Sequence, residues 1–143
     1  QSPGGASPST PTGFGFPTQP SLAIFSSILN DATYGSHPTA FEESLYRRVW
    51  AVRRGNDACS IAFMAPSYPS NTNSDDSVGG RPRSYQQLKR IMRGVAEDTS
   101  SAFIDVDSYF GQTGNGKGWQ GTADIHPNST GYGIIAALVE AVV

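Results

Sequence analysis

The sequence predicts an α/β domain in three layers: a parallel sheet with helices on both faces. Three observations predict it. Short, nearly continuous apolar runs at 22–29, 60–65 and 102–106 have the length of strands buried on both sides. Stretches with helical periodicity follow them, at about 39–54, 85–97 and 130–142. The alternation of strand and helix implies right-handed crossovers between parallel strands. A chain of 143 residues and 15.2 kDa has room for one core.

The elements can be justified in order. Residues 1–20 hold five prolines (Pro3, Pro8, Pro11, Pro17, Pro20) and four glycines, and read as extended loop. Phe14 and Phe16 indicate that this loop still packs on something. Leu22 to Leu29 is the first strand. Thr39 then offers an N-cap, with Glu42 at the capping-box spacing. Phe41, Leu45, Val49 and Val52 line one face of the helix that follows, and Gly55 stops it. Ser60 to Ala65 is the second strand, ended by Pro66, and a long polar loop runs on to Ser84. Loops of that length are usually functional or mobile. The next helix carries Leu88, Ile91, Met92 and Val95 on one stripe. Ala102 to Val106 is the third strand, and a Gly-rich stretch from Gly111 to Gly121 leads toward the final apolar helix.

Composition excludes several classes. Ten Lys+Arg against twelve Asp+Glu give a net charge of −2, which argues against a nucleic-acid binder driven by charge. Nine of the ten cations fall between Arg47 and Arg93, mostly on the two amphipathic helices, where they read as solvated faces. A single cysteine, Cys59, rules out an internal disulfide and a Cys-rich zinc site. No apolar run reaches the length that spans a bilayer. The opening QSPGGASPSTPTG has no signal-like segment and reads as the interior of a longer chain.

In open parallel sheets, ligands bind beyond the carboxyl ends of the strands. This points to Asn30-Asp31, to Pro66–Tyr68, and to Asp107–Phe110 with the loop down to His126. The most informative segment is Asp124-Ile125-His126-Pro127-Asn128, just before the last helix. Pro127 biases His126 toward extended backbone, and Asn128, Ser129 or Thr130 can cap the helix. Two residues apart, Asp124 and His126 can share one side of the loop. A carboxylate at Nδ1 fixes the imidazole tautomer and leaves Nε2 as a general base. The same residues also suit a capping histidine and a loop-stabilising aspartate. Asp75-Asp76 and Asp105-x-Asp107 are acidic pairs, but neither has calcium-loop spacing. His37, before Pro38, reads as a loop residue or a substrate contact. Tyr109, Phe110 and Trp119 flank the site loop, where aromatics either stack on sugar rings or anchor the loop.

Asp124-Ile125-His126-Pro127-Asn128, with Gly131-Tyr132 and the apolar helix after it, resembles the last sequence block of the SGNH (GDSL-type) hydrolases. Leu29-Asn30-Asp31 resembles that family's third block, although the family's Gly before the Asn is absent. The helix FEESLYRRVWAVRR and the strand end Ala65-Pro66 are similar to the elements that follow it, so the resemblance covers about residues 20–143. It implies a flavodoxin-like sheet and a serine ester hydrolase acting on acyl or acetyl esters, in which Asp124 and His126 are catalytic. It implies further that the Asn30 side chain is an oxyanion-hole donor; a cap or turn role is the alternative. Gly4-Gly5-Ala6-Ser7-Pro8-Ser9 resembles the second block, which makes Gly5 the other oxyanion donor and residues 1–20 its loop. Trp119 and Tyr109 are then substrate contacts, and neither a metal nor an organic cofactor is needed.

No Gly-Asp-Ser occurs in the sequence, and the family's nucleophile is the Ser of that motif. On this alignment residues 21–143 supply only the carboxy-terminal strands and helices of the domain. The family's first strand is central, so without it the run 22–29 becomes an apolar edge. The expectation is that a second polypeptide or an upstream segment supplies the first strands and the Ser. A non-catalytic module of a larger assembly, such as a viral tail, is the alternative reading.

Overall fold

The computed structural model describes residues 20–26, 28–34, 36–66, 85–110 and 126–142. Three strands, β1 (Leu22–Phe25), β2 (Ser60–Ala65) and β3 (Ala102–Asp105), form one sheet in the order β1-β2-β3. Both pairings are parallel, with Phe25 opposite Phe63 and Phe63 opposite Phe103. Among the described residues the helices are α1 (Leu29–Tyr34), α2 (Pro38–Gly55), α3 (Tyr85–Asp98), α4 (Val106–Phe110) and α5 (Ser129–Glu140). The three-layer α/β architecture expected from the sequence is the one observed.

The pleat divides the core in two. On one face Ala23, Phe25, Ile61, Phe63 and Ala65 pack against α2 and α3. The buried stripe of α2 is Phe41, Leu45, Val49 and Val52, as its spacing requires. Leu45 and Val49 have no exposed surface, so truncating Leu45 to Ala removes about 2–5 kcal/mol. The Phe25 and Phe63 rings meet with centroids 5.7 Å apart, which locks neighbouring strands in register. On the other face Ala62, Ile104, Val106 and Phe110 form a smaller cluster against Ile134, Ile135, Leu138 and Val139 of α5. That cluster covers β2 and β3. Leu22 and Ile24, on the same face of β1, remain 38% exposed.

Three boundaries depart from the sequence reading. The first strand ends at Phe25, not Leu29. The Ala32 N–H bonds the Ile28 carbonyl at 2.9 Å, so helical turning begins there. Asn30 and Asp31 are poor strand residues, and Asp31 in the first turn of α1 suits the helix dipole. The cap of α2 is His37, not Thr39: its Nδ1 accepts from the Thr39 N–H at 3.3 Å. Pro38 causes the shift, because a proline at the first helical position needs no partner for an N–H it lacks. The third strand ends one residue early, since Val106 already starts α4.

Candidate active site

The carboxyl ends of β1 and β3 lie two strand spacings apart, about 10 Å, with β2 between them. Asn30, on α1 just after β1, is exposed to solvent. Its neighbour Asp31 accepts the Ser36 hydroxyl at 2.6 Å, which folds the connection to α2 back on α1. After β2, the Pro66 carbonyl accepts a hydrogen bond from the Tyr85 hydroxyl at the start of α3. Beyond β3, α4 presents Tyr109 with half its surface exposed while Phe110 is buried. The sheet topology therefore brings Asn30 and Tyr109 to the same end of the sheet.

His126 is exposed and precedes α5. Asn128 caps that helix, in extended backbone, and its side chain accepts from the Gly131 N–H at 3.0 Å. The cap and Pro127 set where the helix begins, and so fix where the chain bearing His126 enters it. Asp124, Gly5 and Trp119 lie outside the described residues, as do the long loop at 67–84 and the Gly-rich stretch.

One polar cluster at this end of the sheet is not legible as a site in the sequence reading. Lys89 of α3, read there as part of a solvated face, is buried. Its ammonium donates to Asp107 Oδ2 at 2.8 Å, Asp105 Oδ1 at 3.2 Å and Ser108 Oγ at 3.0 Å. Gln86 donates to Asp107 Oδ2 at 3.0 Å, and Arg93 pairs with Asp105 Oδ2 at 3.1 Å. The acidic pair Asp105-x-Asp107 thus holds the Lys89 ammonium. Burial opposes the charge of Asp105, but the Ser108 N–H and hydroxyl and then Lys89 outweigh it and hold its pKa below 3.8. The cluster clamps α4, and with it Tyr109, to the end of β3. The signal for it was the stripe itself: Lys89 falls four residues after Tyr85 and three before Met92, inside the buried face of α3.

The sequence model of the GDSL-like lipase/acylhydrolase family matches residues 6–134. No curated protein sequence matches the chain at a significant level. Among solved structures, a Lactobacillus plantarum protein superposes with a TM-score of 0.74 at 14% identity, covering 91% of this chain and 69% of its own. A peptidoglycan O-acetylesterase superposes with a TM-score of 0.68 at 19% identity, over 85% of this chain and 37% of its own. A lipase/acylhydrolase from Enterococcus faecalis gives 0.62 at 15% identity, over 84% and 59%. The chain therefore spans well under two thirds of the last two structures, and likeness at these identities establishes the fold alone. No helix among the described residues is long and apolar enough to cross a membrane.

Proposed function

The chain belongs to the GDSL-like lipase/acylhydrolase family, and on that premise we propose that it carries the acid–base half of a serine ester hydrolase. The family match across residues 6–134 carries this reading, because it takes in Asn30, Asp124 and His126 together. His126 is the general base and Asp124 orients it. The nucleophilic Ser comes from polypeptide outside this sequence, which contains no Gly-Asp-Ser.

The Ser Oγ attacks the acyl carbon while His126 Nε2 takes the hydroxyl proton. The tetrahedral oxyanion accepts hydrogen bonds from the Gly5 N–H and the Asn30 side-chain amide. Collapse breaks the ester C–O bond, and the departing alcohol takes the proton from His126. Water then repeats the sequence on the acyl-enzyme, releasing the acid and restoring the Ser. Tyr109, half exposed at the end of the sheet, and Trp119 contact the substrate. Polar loops and exposed aromatics favour a small acyl group on a carbohydrate over a long lipid chain. The shared fold with a peptidoglycan O-acetylesterase is in keeping with that choice.

The test uses the complete protein, with its Ser-bearing portion, and p-nitrophenyl acetate. His126→Ala lowers kcat/KM by about 10³-fold or more with the circular dichroism spectrum unchanged, and Asn30→Ala lowers it by about 10²-fold. A folded His126→Ala protein that hydrolyses the ester at the wild-type rate removes the proposal and leaves a non-catalytic module.

A further inference from the structure

Helix α2 has a second face that neither the core nor the proposed site uses. Glu43, Tyr46, Arg47 and Trp50 stand at the spacing of one helical stripe, away from the buried residues Phe41, Leu45, Val49 and Val52. These four line an open cavity of about 480 Å³. Trp50 is 63% exposed, the most exposed large apolar side chain among the described residues. The Tyr46 and Trp50 rings do not stack on each other: their planes are tilted by 42° with centroids 6.4 Å apart, so the two faces open as a shallow trough. Tyr46 is held in place from α3, its hydroxyl donating to Asp98 Oδ2 at 2.9 Å.

We propose that this trough is a carbohydrate-binding platform for a neutral polysaccharide chain, separate from the ester-cleaving centre. The apolar C–H face of a sugar ring matches an indole or phenol face, and its hydroxyl groups match a carboxylate and a guanidinium at the rim. Charge selects the ligand. Glu43 and Arg47 neutralise each other across 3.6 Å, so the rim offers no net charge to an anionic polymer. Two further cations of α2 point away from the trough, Arg48 over the Phe25 ring and Arg53 on the Thr99 carbonyl. Size argues the same way. Two aromatic side chains offer at most about 300–500 Å², below the roughly 800 Å² per partner of a stable protein interface. No other large apolar residue of α2 is exposed to extend the patch. Trp50 lies about 18 Å along the helix axis from Pro38, at which end the connection from β1 enters. A polymer held there is anchored away from the carboxyl ends of the strands. The platform requires no hydrolase activity, so the two readings fail independently.

The experiment is affinity electrophoresis of the complete protein through gels containing glycol chitin, hydroxyethyl cellulose or arabinoxylan. At least one of these retards the wild type. Trp50→Ala weakens the retardation about tenfold or more, and Trp50→Phe recovers part of it. Hydrolysis of p-nitrophenyl acetate, which makes no use of the platform, stays at the wild-type rate in both variants. Absence of retardation by all three polymers overturns the proposal, as does equal retardation of Trp50→Ala. Self-association that disappears in Trp50→Ala, without retardation, assigns the face to a second copy of the chain and overturns it as well.

Discussion

Lys89 shows how one residue can carry information that a charge count conceals. Its side chain joins α3 to the end of β3 through two carboxylates, and removing it deprives the buried Asp107 of its ammonium partner while the Gln86 amide still donates to it. Breaking a buried pair from one side costs more than the pair contributes, because the remaining charge is uncompensated. Lys89→Ala therefore lowers stability by about 3 kcal/mol at neutral pH. Acid changes the comparison. The folded pKa of Asp105 is depressed, so its contribution is complete above the unfolded carboxylate range and disappears as pH falls through the folded value. In Lys89→Ala one cause of that depression is gone, and the acid-dependent part of the stability shrinks. Urea unfolding of both proteins between neutral and acidic pH checks this, and curves that stay parallel throughout contradict it. The buried stripe of α3, Lys89 included, was legible from its spacing; the partners that hold the ammonium were not, because they come from β3 and α4, distant in sequence.

At the scale of elements, helix interiors were readable and helix ends were not. Apolar spacing is a property of consecutive residues, and it placed the buried faces of α2 and α3. Caps depend on which nearby group captures a free N–H or carbonyl. His37 captured the one assigned to Thr39, and Asn128 prevailed among three candidates before α5. The end of α3 shows the cost of an imperfect cap. The Ser101 N–H reaches back to the Ala96 carbonyl at 2.8 Å and the Ser100 N–H to the Glu97 carbonyl at 3.2 Å, the double bond of a Schellman turn. That turn requires a left-handed residue, and Ser100 supplies it at φ 52°, where a Cβ is strained. Ser100→Gly relieves the strain against a smaller loss of unfolded-chain entropy, and raises stability by about 0.5–1 kcal/mol. The midpoint of urea unfolding moves up accordingly; a midpoint that stays or falls shows that the turn was not strained.

At the scale of the molecule, the two faces of the sheet are unequally covered, and this bears on where the proposed Ser-bearing polypeptide would dock. One face is closed by α2 and α3. On the other, α5 reaches β2 and β3, burying Ala62 to 2% exposure, while its registered neighbour Ile24 on β1 stays at 38%. Among the described residues, β1 is an edge strand of the sheet, as is β3. Tyr132 and Val142 of the α5 region are also about half exposed. The sequence reading expects further strands beside the run 22–29, because a run so apolar belongs in the middle of a sheet and not at its rim. What it could not supply was the asymmetry of cover, which depends on where α5 settles. If the Ser-bearing polypeptide pairs with β1 and brings its own helix to this face, Ile24 becomes a core residue of the assembled protein. Ile24→Asp then costs the complete protein about 2–3 kcal/mol or prevents assembly, through a buried and unpaired carboxylate. Ser60→Asp, at an exposed position of the adjacent strand, shifts stability by no more than about 0.5 kcal/mol. Equilibrium urea unfolding of the two variants separates the cases. A value for Ile24→Asp as small as the control means that this face remains in water in the assembled protein, and the Ser must then reach His126 by some route other than a strand laid along β1.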